Sequence, residues 1–343
     1  MRTNMARGNG KAPPPSWQSI MADAVRGAGE LCRLLGLPPE TAASAEKAEA
    51  DFSLLVPQPY LARIPPGEPN HPLLVQILPQ VQECLPVEGF GADPVGEAAA
   101  TCGDGLLRKY AGRVLMVTTG RCAIHCRFCF RRHFPYQQSA ARPGDWERAL
   151  EQIAQDPSLG EVILSGGDPL MVDDSRLAEL AERLAAIPHV RRLRLHTRLP
   201  IVIPQRVDDH LLTWLRATRL ATLMVVHVNH AAEIDAQVAE ALGRLVDAGV
   251  PVLSQSVLLR GVNDDVETLA ELFTRLVDLR VMPYYLHQLD PVAGAAHFLV
   301  PEARGVELIA QLKGRLPGYA VPRYVRETIG GLSKEELRGH FGF

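Results

Sequence analysis

Val114-Leu115-Met116-Val117-Thr118-Thr119-Gly120-Arg121-Cys122-Ala123-Ile124-His125-Cys126-Arg127-Phe128-Cys129-Phe130-Arg131-Arg132 joins a short apolar run to three clustered cysteines. Val114–Thr118 is apolar and β-branched, as a buried parallel strand requires. The cysteines follow at C-x3-C-x2-C spacing. Three thiolates on one loop can hold three irons of a [4Fe–4S] cluster. The fourth iron then lacks a protein ligand and can bind a substrate or cofactor, whereas a fully ligated cluster suits electron transfer. A structural zinc site is the alternative. It takes four ligands, and His125 or His133 could complete it.

The same strand pattern recurs downstream. Val162–Leu164, Leu193–His196, Leu223–Val228, Val252–Leu258 and Val281–Leu286 read as further strands. Between them, Asp145–Gln155, Asp174–Ala186, Asp208–Arg216, Ala232–Ala248 and Asp265–Asp278 read as helices. Several open on an acidic residue, which suits the positive end of a helix dipole. Alternation of this kind predicts a parallel sheet, either a barrel or an open doubly wound sheet. In both, the loops after the strands carry the chemistry, and the cysteines sit on such a loop. Upstream, residues 17–50 have helical patterning with Ser16 and Ser19 as candidate caps, broken at Gly36-Leu37-Pro38-Pro39. Residues 51–105 are rich in proline and glycine and predict short helices and loops.

The chain has 343 residues and 47% are hydrophobic, enough for a large core. Its net charge of −3 argues against a nucleic-acid binder. The basic stretch Arg121–Arg132 then reads as a solvated loop. No run is long and apolar enough for a membrane span. The N-terminus, with Pro13-Pro14-Pro15, lacks the apolar centre of a signal peptide and reads as a disordered lead-in. Six cysteines, three of them clustered, do not form a disulfide framework and fit a reducing cytoplasm. Cys32, Cys84 and Cys102 carry no assigned role.

Other groups are candidates for binding. Ser165-Gly166-Gly167-Asp168-Pro169 follows the second strand, and paired glycines let backbone approach a ligand. Lys334 follows Gly330-Gly331. A desolvated lysine there can form a covalent bond to a carbonyl cofactor, although a lone lysine near a terminus is more often a solvated charge. Asp290 and Glu327 could grip a cationic substrate group. His227 and Gln255 lie near strand ends, where such residues are more often satisfied structural groups.

Together, the blocks CRFCFRRHFPY, SGGDPLM, HTRLPIVIP, HVNHAAEID, QSVLLRGVND, MPYYLHQLD and GAAHF resemble the lysine 2,3-aminomutase family of radical S-adenosylmethionine enzymes. The likeness runs from about Asp51 to Lys334. It is nearest to the short branch that makes (R)-β-lysine for modification of elongation factor P. The resemblance implies an α/β fold, a partial (β/α)6 barrel with a mainly helical N-terminal extension. It divides the chain into a lead-in (1–16), the extension (17–105), the barrel (106–320) and a C-terminal segment (321–343) bearing the cofactor lysine.

The resemblance further implies that Cys122, Cys126 and Cys129 bind a [4Fe–4S] cluster. Ser165, Gly166, Gly167, Asp168, His227 and Gln255 would contact S-adenosylmethionine. Lys334 would be the catalytic lysine that binds pyridoxal 5′-phosphate, with Lys109, Tyr110 and Arg113 around that cofactor. Arg131 would hold the carboxylate of L-lysine, and Asp290 and Glu327 its ε-ammonium. A deoxyadenosyl radical would take hydrogen from Cβ, and the amino group would migrate from Cα to Cβ. The implied partners are a one-electron donor such as flavodoxin or ferredoxin, elongation factor P and its β-lysyl ligase, and possible further copies of the chain. One departure stands out: the family usually follows its lysine with Thr-Pro, whereas Lys334 precedes Glu335-Glu336. Two other readings remain: a radical enzyme for another amino acid, or a non-catalytic zinc- or partner-binding protein.

Overall fold

The computed structural model describes residues 15–136 and 146–339. Most of the expected lead-in lies outside the described residues, as does Asp145.

One ten-stranded sheet forms the frame, with strands in strict chain order. They are β1 (Thr101–Gly103), β2 (Leu106–Leu107), β3 (Arg113–Thr119), β4 (Glu161–Gly166), β5 (Arg192–Thr197), β6 (Ala221–His227), β7 (Val252–Val257), β8 (Met282–His287), β9 (Arg323–Arg326) and β10 (Glu335–Glu336). β3 to β9 are parallel throughout. β1–β2–β3 and β9–β10 add antiparallel margins. A doubly wound sheet reverses its strand order at a switch point, and this one never reverses. The choice left open by the periodicity therefore falls on the singly wound, barrel-like form.

All six expected strands are present. β9 and the flanking two- and three-residue strands were not expected, because runs so short carry little periodicity. Helices Glu147–Gln155, Asp174–Ala186, Asp209–Ala217, Ala236–Asp247 and Val266–Asp278 connect the parallel strands. Asp208, Asp235 and Asp265 cap three of them, each accepting a backbone N–H from three residues on. The expected Ala232 start for one helix is taken by a 3₁₀ turn, Ala231–Glu233. Upstream lie helices Trp17–Ala22, Ala28–Leu34 and Pro39–Glu49, the last two separated at Gly36, whose φ is 61°. Ser16 caps the first by accepting from the Ser19 N–H at 3.2 Å.

Alternation along each strand divides the sheet into two faces. Val162, Leu164, Leu193, Leu195, Met224, Val226 and Leu286 are fully buried in the main core. The intervening positions, among them Arg113, Ser165, His196, His227, Gln255 and His287, face a cavity on the other side.

Candidate functional site

The cavity has a volume of about 550 Å³, and every site residue singled out in the sequence lines it except His133, the alternative zinc ligand. The cysteine loop follows β3. The glycine pair follows β4, His227 ends β6, Gln255 lies in β7, and Asp290 follows β8. Glu327 and Lys334 flank the turn from β9 to β10.

The glycine pair approaches backbone as well as cavity. Gly166 has φ 127°, and a Cβ there would lie 2.4 Å from the Thr119 carbonyl oxygen. A Cβ on Gly167 would lie 2.2 Å from the Arg121 carbonyl oxygen. The Gly167 N–H donates to Thr119 O at 2.7 Å and the Asp168 N–H to Arg121 O at 2.8 Å. Only glycine lets the second loop seat against the cysteine loop this closely. The Asp168 carboxylate is directed into the fold. It accepts from Thr197 Oγ1 and from the N–H groups of Leu170, Arg198 and Leu199, at 2.7 to 3.2 Å. Burial pushes it up to about 6, and those hydrogen bonds oppose the shift.

All six cysteines are free thiols. Burial pushes Cys129 up to about 11 and Cys122 well above its usual range, so metal binding there releases protons. Among the described residues, no three His, Cys, Asp or Glu side chains converge as a single metal ion requires. A four-iron cluster makes a different demand, since each thiolate takes its own iron. His125 Nδ1 lies 2.9 Å from Ser53 O and its ring stacks on Phe52. His133 Nε2 lies 3.1 Å from Ala293 O. Both histidines are thus engaged outside the triplet.

The basic stretch is not a solvated loop. The side chains of Arg127 and Arg132 are buried and share Glu83, with N···O distances of 2.6 and 3.0 Å. Both guanidiniums also sit 4.8 Å from the Phe52 ring centre. Arg131 is gripped by Glu97 and donates through Nη1 to Ser165 Oγ at 2.9 Å. Buried arginines need counter-charges, and these acids lie upstream in the sequence.

Glu327 is the hub of the far end. It accepts from Tyr110 Oη at 2.6 Å and Lys109 Nζ at 3.2 Å, and it pairs with Lys334 Nζ. Burial alone would raise its pKa, but Lys334, Tyr110 and Lys109 hold it down at about 2. Asp290 has no such support. Burial raises it to about 7, and Glu327 and Glu97 add to the rise, while Lys334 and Lys109 oppose it.

Several cavity residues escaped the sequence reading. His196 and His287 face inward with His227, and burial lowers all three well below the usual imidazole range, His227 to about 3. They are neutral at pH 7. His196 Nε2 has no hydrogen-bond partner among the described residues. Arg194, Tyr285 and Arg323 also line the cavity. For Arg194 and His196 the signal was a polar residue at every second position of an otherwise apolar strand, and for Arg323, on the short β9, there was none.

The radical SAM superfamily model matches residues 116–273, the stretch that holds the cysteine loop and the strands up to β7. The chain is 43% identical to an L-lysine 2,3-aminomutase of Haemophilus influenzae, over 93% of this chain and 94% of that one. It is 44% identical to an L-lysine 2,3-aminomutase of Escherichia coli, over 94% of each. With the enzyme of the same name from Clostridium subterminale it shares 35% identity, over 95% of this chain and 78% of the longer relative. This protein belongs to the L-lysine 2,3-aminomutase family of isomerases, within the radical S-adenosylmethionine enzymes.

Proposed function

We propose that the protein converts L-lysine into (R)-β-lysine by moving the amino group from Cα to Cβ. The observation that carries this reading is the pairing of Lys334 Nζ with Glu327. An alkylammonium on that carboxylate is the group that the end of a lysine side chain would present. Asp290, in the same cavity, offers a second acid for it.

The donor sets fit the cofactors of such a reaction. Cys122, Cys126 and Cys129 would hold three irons of a [4Fe–4S] cluster. The peptide edge at Ser165–Gly167, with His227 and Gln255, would face S-adenosylmethionine. Arg113 is a cavity residue whose buried Nε has no partner among the described residues, and it stacks 4.8 Å over Tyr110. With Lys109 it suits the phosphate of pyridoxal phosphate, and Lys334 would hold that cofactor's carbonyl carbon. When bound, the reduced cluster and S-adenosylmethionine supply a deoxyadenosyl radical, and pyridoxal phosphate supplies a ring over which an unpaired electron spreads.

The chain's own residues do the rest. With the cofactor bound, Lys334 would serve its carbonyl carbon rather than Glu327, and the substrate's ε-ammonium would take its place on that carboxylate. Arg131 supports the carboxylate end. A two-ended grip fixes Cβ for hydrogen transfer, where small misplacement is costly. Neutral His196, His227 and His287 add no competing cation. Two acids at one end also disfavour glutamate, whose side-chain carboxylate they would repel. An electron donor such as flavodoxin or ferredoxin, a cytoplasmic location and delivery of the product to the elongation factor P ligase belong to the same reading.

The test is anaerobic incubation of reconstituted protein with lysine, S-adenosylmethionine, pyridoxal phosphate and a strong reductant, followed by chiral analysis. (R)-β-lysine is expected. Cleavage of S-adenosylmethionine without β-lysine, or faster turnover of glutamate than of lysine, rejects the substrate assignment.

A further inference from the structure

Arg198 directly follows β5, and its guanidinium reaches three chain segments. Nη1 lies 2.6 Å from Cys126 Sγ. Nη2 donates to Gln76 Oε1 at 2.7 Å and to Glu233 Oε2 at 2.8 Å. Arg198 is buried, and Glu233 is fully so. The acid is itself held in place. Its Oε1 accepts from the N–H groups of Asn229 and His230 at 2.9 and 3.2 Å and from Gln76 Nε2 at 3.2 Å. Asn229 Nδ2 then donates back to Gln76 Oε1 at 2.9 Å. Nε of Arg198 has no partner among the described residues, but both Nη atoms are engaged and their acceptors are themselves held, so the guanidinium has little freedom to leave the thiol. No side-chain hydrogen bond of this kind is present for the sulfurs of Cys122 and Cys129 among the described residues.

We propose that Arg198 is a positioning residue for the cluster: it fixes Cys126 Sγ and raises the cluster's reduction potential, while Glu233 limits that rise. The inference rests on Cys126 being a cluster ligand. A reduced cluster carries one more negative charge than an oxidised one. A cation and an N–H donor beside a ligand sulfur therefore favour the reduced form, and hydrogen bonds to sulfur are a known determinant of potential. Burial of Arg198 and Glu233 weakens the screening of this effect by water. Glu233 lies behind the guanidinium and opposes it from farther away. Electron entry precedes every radical event here, so this pair sets how readily the reaction starts.

Two substitutions should act in opposite directions. Arg198→Gln removes the cation and lowers the potential. Glu233→Gln removes the anion but keeps an acceptor for the Asn229 and His230 N–H groups, and it raises the potential. A brace without electrical effect would not separate the two. The experiment is an EPR-monitored redox titration of the anaerobically reconstituted full chain, without S-adenosylmethionine. Wild type, Arg198→Gln, Arg198→Lys and Glu233→Gln are compared at equal iron content. Arg198→Gln should hold at least tenfold less reduced cluster relative to oxidised at the same poise, a shift of about 59 mV for one electron. Arg198→Lys should fall between it and wild type.

Unchanged potentials, or shifts of the same sign in Arg198→Gln and Glu233→Gln, overturn the proposal. If Arg198→Gln does not assemble a cluster, Glu233→Gln decides: a raised potential supports the proposal and an unchanged or lowered one rejects it. A wild-type chain that takes up no iron and stays colourless removes the cluster assignment itself, a result distinct from either.

Discussion

Glu97 and Arg131 form a buried, two-pronged pair, with Glu97 Oε2 accepting from Nε at 2.8 Å and Oε1 from Nη2 at 2.7 Å. Glu97→Ala would leave the guanidinium buried without its anion. A loss of about 3–5 kcal/mol is expected on the usual cost of breaking such a pair, read as a lower midpoint in chemical denaturation. Arg131→Lys keeps the charge but cannot reproduce the fork. It should raise KM for lysine by roughly 10–100-fold, the range for a lost charged hydrogen bond. An unchanged KM would remove Arg131 from the substrate's carboxylate.

Asp290 should impose opposite pH trends on stability and on activity. Its carboxyl titrates near 7 in the fold and at about 3.9 when unfolded. Between those values the folded chain binds the extra proton. Stability should therefore fall as pH rises from about 4 to about 7 and level off above. Binding an ammonium needs the ionised acid, so kcat/KM for lysine should climb through about pH 7. Asp290→Asn should flatten both curves. Denaturation midpoints and kcat/KM across pH 5–9 measure this, and a climb that persists in the variant assigns it to another group.

Gly167→Ala should strip the cysteine loop of its seat. The new methyl group would meet Arg121 O at 2.2 Å and Arg121 C at 2.6 Å, both backbone atoms. Overpacking of this kind costs about 1–3 kcal/mol. Lower iron content after reconstitution should accompany the lower melting temperature. Gly243, within helix Ala236–Asp247, has no atom within 4 Å of an added Cβ. Gly243→Ala should instead stabilise by roughly 0.5–1 kcal/mol and leave iron content alone.

Glu83→Ala tests the coupling between the N-terminal segment and the cysteine loop. It deprives both Arg127 and Arg132 of their buried counter-charge. The expected loss is about 3–5 kcal/mol. A chelator should remove iron from the variant faster than from wild type, measured by bleaching of the visible absorbance. Equal bleaching rates would show that the loop holds its shape without Glu83.

The candidate residues were legible to different degrees: three thiols clustered after an apolar run are rare enough to stand out, whereas Lys334 was singled out by the family resemblance. Their partners were not. Glu83 pairs with Arg127 across 44 residues and Glu97 with Arg131 across 34, so no local pattern links them. Arg121–Arg132 looked like a solvated loop for that reason. The Glu335-Glu336 departure has a local outcome. Glu335 lies opposite Arg326 in the β9–β10 pairing and accepts from its Nε at 2.9 Å. The acids thus help to fasten the turn that presents Lys334. A two-residue strand could not be read from periodicity.

Because the strands follow strict chain order, the cavity is also completed in chain order during synthesis. Lys334 leaves the ribosome after every other residue that lines it. Roughly two hundred residues separate it from Cys122, which at ~5–20 residues per second is roughly 10–40 s. Over that interval the nascent chain holds three thiols before the β9–β10 hairpin exists. On the proposed function, iron would have a window that opens well before the one for the carbonyl cofactor proposed for Lys334.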